Sequence, residues 1–231
     1  MTLKGNKFNN TPDSFKSIMV MSGGTIELHG KKRTSWTNIA TTANPGATQI
    51  TLKEAVNWEI GDKIALTSTA LADKGQKSWE QVDEAEILNI SADKKTLTLK
   101  NPLIYKHIGG SKSYTRTRDG KSWNVAIFGE VGLLSHYIKI QGDMSQNNEL
   151  DGFGGHIMTM KNSTAHVEHV ELYKMGQKGI KGRYPFHWHL NEDKAQGSYL
   201  KNSSVHKSFN RAVTIHGTDY VTVDGVLLTI I

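Results

Sequence analysis

Hydrophobic and polar residues alternate in short runs along most of the chain, and this pattern predicts an almost entirely β-strand protein. The runs are rich in β-branched residues and are separated by Gly, Asn, Asp and Ser, which favour turns. Helical periodicity is scarce. The predicted strands are Ser17–Met21, Thr25–His29, Thr48–Leu52, Lys63–Thr67, Thr96–Leu99, Tyr137–Gln141, His156–Met160, Ala165–Leu172, Ala212–His216 and Tyr220–Val223.

The second half of the chain repeats itself imperfectly. Similar apolar segments begin at Val167, Leu200 and Val223, at intervals of 33 and 23 residues. Coils of about 20–35 residues that are built from short strands are typical of a solenoid. We therefore predict a parallel β-helix. The alternative is a β-sandwich, in which this spacing would be accidental.

Four histidines occur in step with the repeat. His187 and His189 are two residues apart, so in a strand they project from the same face. His156 lies 31 residues before His187, and His216 lies 27 residues after His189. Because equivalent positions of a β-helix are stacked, we expect all four in one column. They are predicted to bind a divalent metal, zinc or another transition ion, with calcium as an alternative. A hydrogen-bonded histidine ladder without metal is the other interpretation.

Residues that suit an anionic sugar chain flank these histidines. The guanidinium groups of Arg183 and Arg211 can pair with a carboxylate, and the ring of Tyr184 can stack on a sugar face. These three residues are the predicted substrate-binding groups. Trp188 alternates with the two histidines of its strand, which predicts that its ring faces the core.

Glycoside hydrolysis usually requires two carboxyl groups. Asp143 and Glu171 are the predicted catalytic pair, because both occur at motif positions. The plainer interpretation gives both residues a structural role. Asp143 would then lie in a turn, and Glu171 would lie in a strand and pair with a lysine. A polysaccharide lyase would instead combine a base with a cation that neutralises the uronate carboxylate, such as Arg183, Arg211 or the metal.

Charge and composition narrow the classes of partner. The net charge of +6 arises in residues 1–121, which contain 18 basic and 12 acidic residues, whereas residues 122–231 contain 10 of each. Basic clusters at 106–121 and 174–183 favour a polyanionic partner. A nucleic-acid partner is not expected, because no aromatic and basic motif of a nucleic-acid module is present. Cysteine is absent, which excludes disulfides and thiolate ligands.

The ends of the sequence predict a longer native protein. No apolar run approaches the roughly 20 residues that span a bilayer, and no signal-peptide pattern follows Met1. The chain stops in the apolar strand Val226–Ile231, although the open end of a solenoid needs a cover. We expect both predicted domains to be incomplete and any secretion signal to lie outside this sequence.

Motifs along most of the chain resemble one family of extracellular proteins. They occur in the family's order over roughly nine tenths of the chain, which makes the resemblance more specific than any single motif. The segments Gly23–Gly30, Ser35–Thr37, Trp58–Asp62 and Leu103–His107 resemble the eight-glycine domain, and Glu130–Ser135, Gly155–His156, Met175–Gln177, Gly182–His189 and Arg211–Gly217 resemble the β-helix of the cell-migration-inducing hyaluronan-binding protein, the cell-surface hyaluronidases and the fibrocystin-like proteins.

The resemblance implies a fold, a location and an activity. The fold is a right-handed parallel β-helix at 122–231, preceded by a β-rich eight-glycine-type domain at 1–121. The protein would be extracellular or bound to the cell surface. It would bind and depolymerise hyaluronan or a related anionic glycan as a hyaluronidase-like glycoside hydrolase. Because one fold supports many functions, a non-catalytic glycan-binding or adhesion module and a polysaccharide lyase are the alternatives.

Overall fold

The computed structural model describes residues 1–5, 16–70, 77–145 and 148–229. Its regular structure is nearly all β-strand, as predicted, with short 3-10 helices at Ser78–Glu80 and Asp193–Ala195. Among the described residues, no helix has the length and hydrophobicity needed to span a bilayer. In chain order the strands are β1 (Thr2–Leu3), β2 (Ser17–Val20), β3 (Thr25–His29), β4 (Trp36–Asn38), β5 (Gln49–Thr51), β6 (Lys63–Leu66), β7 (Asp83–Ile90), β8 (Thr96–Leu99), β9 (Gly109–Thr115), β10 (Ser122–Phe128), β11 (Glu130–Leu133), β12 (Ile138–Gly142), β13 (His156–Met160), β14 (Thr164–Glu168), β15 (Val170–Tyr173), β16 (Phe186–Glu192), β17 (Tyr199–Lys201), β18 (Ser204–His206), β19 (Val213–Thr218), β20 (Thr222–Asp224) and β21 (Leu227–Thr229).

The chain folds into two compact units. One contains Met1–Ser35 and Leu134–Ile231, and the other contains Trp36–Leu133. This division does not coincide with the predicted domains 1–121 and 122–231. The physical reason is strand pairing, because β1, β2 and β3 pair in parallel with β12, β13 and β14. The first strands are therefore part of the same coils as the second half of the chain.

The first unit is a parallel β-helix made of three sheets. Their strand orders are β1-β12-β15-β18-β21, β2-β13-β16-β19 and β3-β14-β17-β20. Val167 pairs with Leu200, and Leu200 pairs with Val223. The intervals of 33 and 23 residues in the sequence are therefore successive coils of the backbone. The β-helix prediction is confirmed.

Inward-facing residues of the three sheets fill the β-helix. Phe186 and Trp188 of β16 are fully buried, and their ring centroids are 4.6 Å apart. They belong to one apolar cluster with Val167, Leu200 and Val205. Burial of each such side chain contributes about 1.5–3 kcal/mol. The core position predicted for Trp188 is confirmed.

Corners with positive φ separate the strands of the β-helix. His169 has a φ of 55°, and Asn202, in the next coil, has a φ of 46°. The prediction of one continuous strand at Ala165–Leu172 is wrong, because this corner divides it into β14 and β15. Gly30 lies against the same corner, where a Cβ atom would be 2.0 Å from the carbonyl oxygen of His169. The close approach of the two backbones requires glycine there.

A cluster of histidine and carboxylate side chains lies on the outer face of β3 and β14. His29 Nε2 is 2.7 Å from Glu27, and His29 Nδ1 is 2.9 Å from Glu168. Since ionised carboxylates only accept hydrogen bonds, both ring nitrogens of His29 must donate. The hydrogen bonds to Glu168 and Glu27 accordingly raise the pKa of His29 above 6.5.

This contact predicts the sign of one pH effect. The protonated form of His29 contributes to stability below its unfolded pKa, and this contribution is lost as the pH rises through the raised folded-state pKa. NMR titration of the His29 ring should give a pKa above 6.5, and Glu168→Gln should lower it. A ring that titrates at or below 6.5 in the unmodified protein would contradict the contact.

The second unit is an antiparallel β-structure with its own core. Its six-stranded sheet has the order β4-β11-β6-β7-β8-β5, and β9 and β10 form a separate hairpin. Ile39, Ile64 and Leu97 are fully buried in this core. The buried His107 ends the last segment that resembles the eight-glycine domain. Its Nε2 lies 2.9 Å from the carboxylate of Asp83, the first residue of β7.

Candidate functional site

Strand β16 presents two chemically different faces. Phe186 and Trp188 face the core, whereas His187 and His189 alternate with them and project from the opposite face. Strands β13 and β19 lie on either side of β16 in the same sheet. Side chains of the three strands therefore meet on one outward face.

Three imidazoles converge on this face. His189 and His216 are register partners, and their Nδ1 atoms are 3.1 Å apart. One ring nitrogen from each of His187, His189 and His216 lies within 4.8 Å of the others. Two nitrogens bound to one tetrahedral zinc ion are about 3.3 Å apart. The spacing of the three side chains is therefore compatible with one shared metal ion.

Hydrogen bonding fixes the tautomer of His187. Its Nδ1 is 3.1 Å from the carbonyl oxygen of Gly182, so Nδ1 carries the proton and donates. Its Nε2 is buried and has no hydrogen-bond partner within the described part of the chain. The ring of Tyr184 meets the ring of His187 edge-on, at a centroid distance of 5.0 Å. His187 Nε2 thus keeps a lone pair that no hydrogen bond among the described residues uses.

Burial keeps two of these rings neutral. Desolvation lowers the pKa of His187 to about 4, outweighing the hydrogen bond to Gly182, which raises it. Desolvation and the charge of His216 also lower the pKa of His189. At neutral pH both rings are therefore in the form that can bind a metal ion.

His156, which was predicted as a fourth ligand, is not part of this group. The register places Met158 beside His187, because β13 and β16 are offset by 29 residues rather than 31. His156 is fully buried, and its Nε2 accepts a hydrogen bond of 2.6 Å from Arg183 Nη1. Desolvation, followed by the charge of Arg183, lowers its pKa to about 3. The lone pair of His156 therefore positions Arg183.

A pocket of about 630 Å³ opens over the three histidines. The predicted substrate-binding residues Arg183, Tyr184 and Arg211 all line it, so the structure brings them together with the histidines. No carboxylate is among the described residues that line the pocket. Its lining consists of Met19, Met158, Met160, Lys181, Gly182, Arg183, Tyr184, His187, His189, Arg211, Thr214, Ile215 and His216.

The sequence prediction missed the methionines of this pocket. Met158 pairs with His187, and Met160 pairs with His189. A signal for them was present in the predicted strand His156–Met160, because Met158 and Met160 alternate with core-facing residues there. Ile157 is one of those residues and is fully buried.

Glu171, one of the two predicted catalytic carboxylates, lies on a different sheet from the histidines. It belongs to β15, and its carboxylate is 2.6 Å from Lys139 Nζ and 3.0 Å from His206 Nε2. Burial raises the pKa of Glu171, but the hydrogen bonds from His206 and Lys139 bring it below its ordinary value. A carboxylate held ionised in this way is a poor proton donor. The geometry matches the plainer interpretation of a strand glutamate paired with a lysine.

Asp143, the other predicted catalytic carboxylate, follows β12 in a turn. Its carboxylate accepts hydrogen bonds from the hydroxyl of Ser145 at 2.6 Å and from the backbone N–H of Ser145 at 3.1 Å, and these lower its pKa. Neither Asp143 nor Glu171 lines the histidine pocket. The catalytic roles of Asp143 and Glu171 therefore stay a prediction, and any such role would lie outside the pocket of the three histidines.

The two predicted basic clusters lie in different units. In the cluster at 174–183, Lys174 pairs with Glu149 at 2.5 Å, whereas Lys181 and Arg183 line the pocket. The cluster at 106–121 includes β9 and the turn that leads to β10. There Arg116 pairs with Asp119 and lies over the ring of the exposed Trp123.

Comparison with known proteins identifies relatives of the chain. Residues 152–229 match the family model described as CEMIP beta-helix. The chain is 36% identical over 209 residues to a G8 domain-containing protein of Dictyostelium discoideum. This match covers 90% of the present chain and 13% of the Dictyostelium protein. The chain is also 32% identical over 233 residues to fibrocystin-L of Mus musculus. That match covers 87% of the present chain and 5% of fibrocystin-L. Among solved structures, the tailspike protein gp49 from Pseudomonas phage LKA1 is similar with a TM-score of 0.34 and 10% identity, over 91% of this chain and 32% of that chain.

These matches confirm the resemblance predicted from the sequence motifs. The chain spans less than a fifth of the length of either curated relative. The family-model match includes β16 and β19, which carry the three histidines. The chain is a relative of the G8 domain-containing proteins and fibrocystin-L, and its residues 152–229 match the CEMIP beta-helix family model.

Proposed function

We propose that the histidine pocket binds an anionic polysaccharide such as hyaluronan. The observation that carries this proposal is the charge of the pocket, which is lined by Lys181, Arg183 and Arg211 and by no carboxylate among the described residues. A guanidinium group can bind a uronate carboxylate with two parallel hydrogen bonds. The extended face of a solenoid suits a polymer, because successive coils can contact successive sugars.

The buried His156 supports this role of Arg183. Its Nε2 accepts a hydrogen bond from one guanidinium nitrogen, which restricts the rotamers of a long side chain before the ligand arrives. A preoriented arginine loses less entropy on binding than a free one. The contact with His156 thus holds the guanidinium group of Arg183 at the lining of the pocket.

We further propose that the full-length protein depolymerises the bound glycan outside the cell or at the cell surface. This part rests on the resemblance to the cell-surface hyaluronidases. Since Asp143 and Glu171 lie outside the pocket, hydrolysis there would need carboxyl groups other than these two. A non-catalytic glycan-binding or adhesion module is the alternative.

One observation favours a lyase as a second candidate function. The pocket combines arginines, histidines and Tyr184 without a carboxylate among its described residues. In a β-elimination, Arg183 or Arg211 would neutralise the uronate carboxylate while a base removes the C5 proton. The C4–O bond then breaks, a C4–C5 double bond forms, and the leaving oxygen takes a proton, for which the Tyr184 hydroxyl is a candidate donor.

Incubation of the full-length protein with hyaluronan, followed by sizing of the products, separates these functions. Shortened chains without ultraviolet absorption indicate hydrolysis, and shortened chains with ultraviolet-absorbing unsaturated ends indicate a lyase. Retention of intact hyaluronan indicates a binding module. Absence of both retention and cleavage would overturn the proposal.

Neutralising the arginines should weaken binding. Charge-assisted hydrogen bonds contribute about 1.5–3 kcal/mol each, so Arg183→Gln and Arg211→Gln should each lower hyaluronan affinity about 10-fold or more. Affinity should also fall as salt is added. Lys194→Gln is the matched control, because Lys194 is exposed, pairs with Asp193 and does not line the pocket. Equal affinity in all three variants would place the glycan elsewhere.

A further inference from the structure

We propose that His187, His189 and His216 form a metal site that prefers copper(I) to zinc. This proposal does not depend on glycan binding, because its metal ligands are imidazole and thioether groups. Ions that favour nitrogen and sulfur ligands suit these residues. Calcium, the alternative raised by the sequence, requires about six to eight oxygen ligands, and no carboxylate is among the described residues of this pocket.

The nitrogen ligands are oriented by the protein itself. His187 Nδ1 donates to the carbonyl oxygen of Gly182, which directs the Nε2 lone pair away from the backbone. Such a hydrogen bond from the second ring nitrogen is the usual way in which proteins orient a histidine ligand. His189 Nδ1 and His216 Nδ1 are 3.1 Å apart, so a metal ion can replace the proton that they share. Three nitrogens are thus available to one ion.

Two thioether groups lie one coil away from His187 and His189 and two coils away from His216. Met160 pairs with His189, which pairs with His216, so these three side chains form one column. Met158 pairs with His187 in the adjacent column. Neighbouring strands are about 4.8 Å apart, a distance that the flexible methionine side chain can bridge. Thioether sulfur favours copper(I) over zinc.

The charge of the pocket also favours a monovalent ion. Lys181, Arg183 and Arg211 line it, and the described lining contains no carboxylate to offset them. Repulsion between these cations and a bound ion is proportional to the charge of the ion, so a divalent ion is repelled about twice as strongly as copper(I). Zinc gains no compensating bond from the methionines, because its usual ligands are imidazole, thiolate and carboxylate.

Competition titrations test this proposal directly. Copper(I) affinity is measured without oxygen against bicinchoninate, and zinc affinity against a fluorescent zinc chelator, on protein purified without added metal. We expect one copper(I) ion per chain, bound more tightly than zinc. His189→Ala should lower both affinities by about 100-fold or more, since loss of a ligand exceeds the effect of an outer-shell partner. His189 is partly exposed, so this variant should remain folded.

Isosteric methionine variants separate copper(I) from zinc. Met158→Leu combined with Met160→Leu should lower copper(I) affinity about 10-fold and leave zinc affinity unchanged, because only copper(I) uses the thioethers. Met21→Leu is the control, since Met21 is exposed and does not line the pocket. Tighter binding of zinc than of copper(I), or a double variant with unchanged copper(I) affinity, would overturn the copper assignment. Absence of binding of either metal would overturn the site itself. Hyaluronan retention by metal-free protein reports on the proposed function separately.

Discussion

Replacement of Trp188 by alanine should lower the free energy of unfolding of the β-helix unit by about 3–5 kcal/mol. Trp188 is fully buried and its ring lies against Phe186, so its removal leaves a large cavity between the sheets. Its indole N–H has no hydrogen-bond partner among the described residues, so the stabilisation comes from packing. Denaturant unfolding followed by far-ultraviolet circular dichroism measures the change.

Leu150→Ala provides the control for this prediction. Leu150 belongs to the same unit but is 85% exposed, so its truncation should change stability by less than about 0.5 kcal/mol. A Trp188→Ala protein as stable as Leu150→Ala would show that the Trp188 ring does not lie in the core. The inward and outward faces assigned to β16 would then be reversed.

Replacement of Glu171 by glutamine should destabilise the same unit by about 3 kcal/mol, at the lower end of the range for a broken buried ion pair. The carboxylate is buried and contacts both Lys139 and His206. His206 is equally buried and loses its charged acceptor, whereas Lys139 is partly exposed and can turn toward water. Thermal and denaturant unfolding measure this loss.

The same variant separates a structural role from a catalytic one. Glu171→Gln protein that remains folded should retain its hyaluronan affinity and any depolymerising activity, since Glu171 does not line the pocket. Asp193→Asn is the control, because its pair with Lys194 is exposed to solvent and its loss should leave the stability nearly unchanged. Unchanged stability together with loss of activity would instead support the catalytic role predicted for Glu171 from the sequence.

The sequence was sufficient for the nearly all-β fold class and for the shared face of His187 and His189. Alternation is a local property of a strand. The separation of two residues was therefore enough to place the side chains of His187 and His189 on the same face. The repeat at Val167, Leu200 and Val223 predicted the register of three coils. Because Trp188 alternates with these two histidines along the strand, its buried position was also predicted.

The sequence was not sufficient where coils differ in length. His156 lies 31 residues before His187, but the backbone places Met158 beside His187, with an offset of 29 residues. Turn lengths set this offset, and they are not encoded in strand alternation. Alternation likewise cannot show which of the three sheets carries Glu171.

Long-range pairing explains the difference in domain boundaries. Thr25 and Thr164 are register partners although 139 residues separate them. The intervening unit Trp36–Leu133 has its own sheet and core, so the chain leaves the β-helix after Ser35 and returns at Leu134. No local pattern in β2 or β3 distinguishes a first coil of a β-helix from a strand of the antiparallel unit.

A crystal structure with a bound hyaluronan oligosaccharide tests the central claim most directly, namely that residues from successive coils form one glycan-binding pocket. We predict that a uronate carboxylate lies within hydrogen-bond distance of Arg183 or Arg211, above His187, His189 and His216. An oligosaccharide bound only at the basic hairpin of β9 and β10, with the histidine pocket vacant, would contradict the claim.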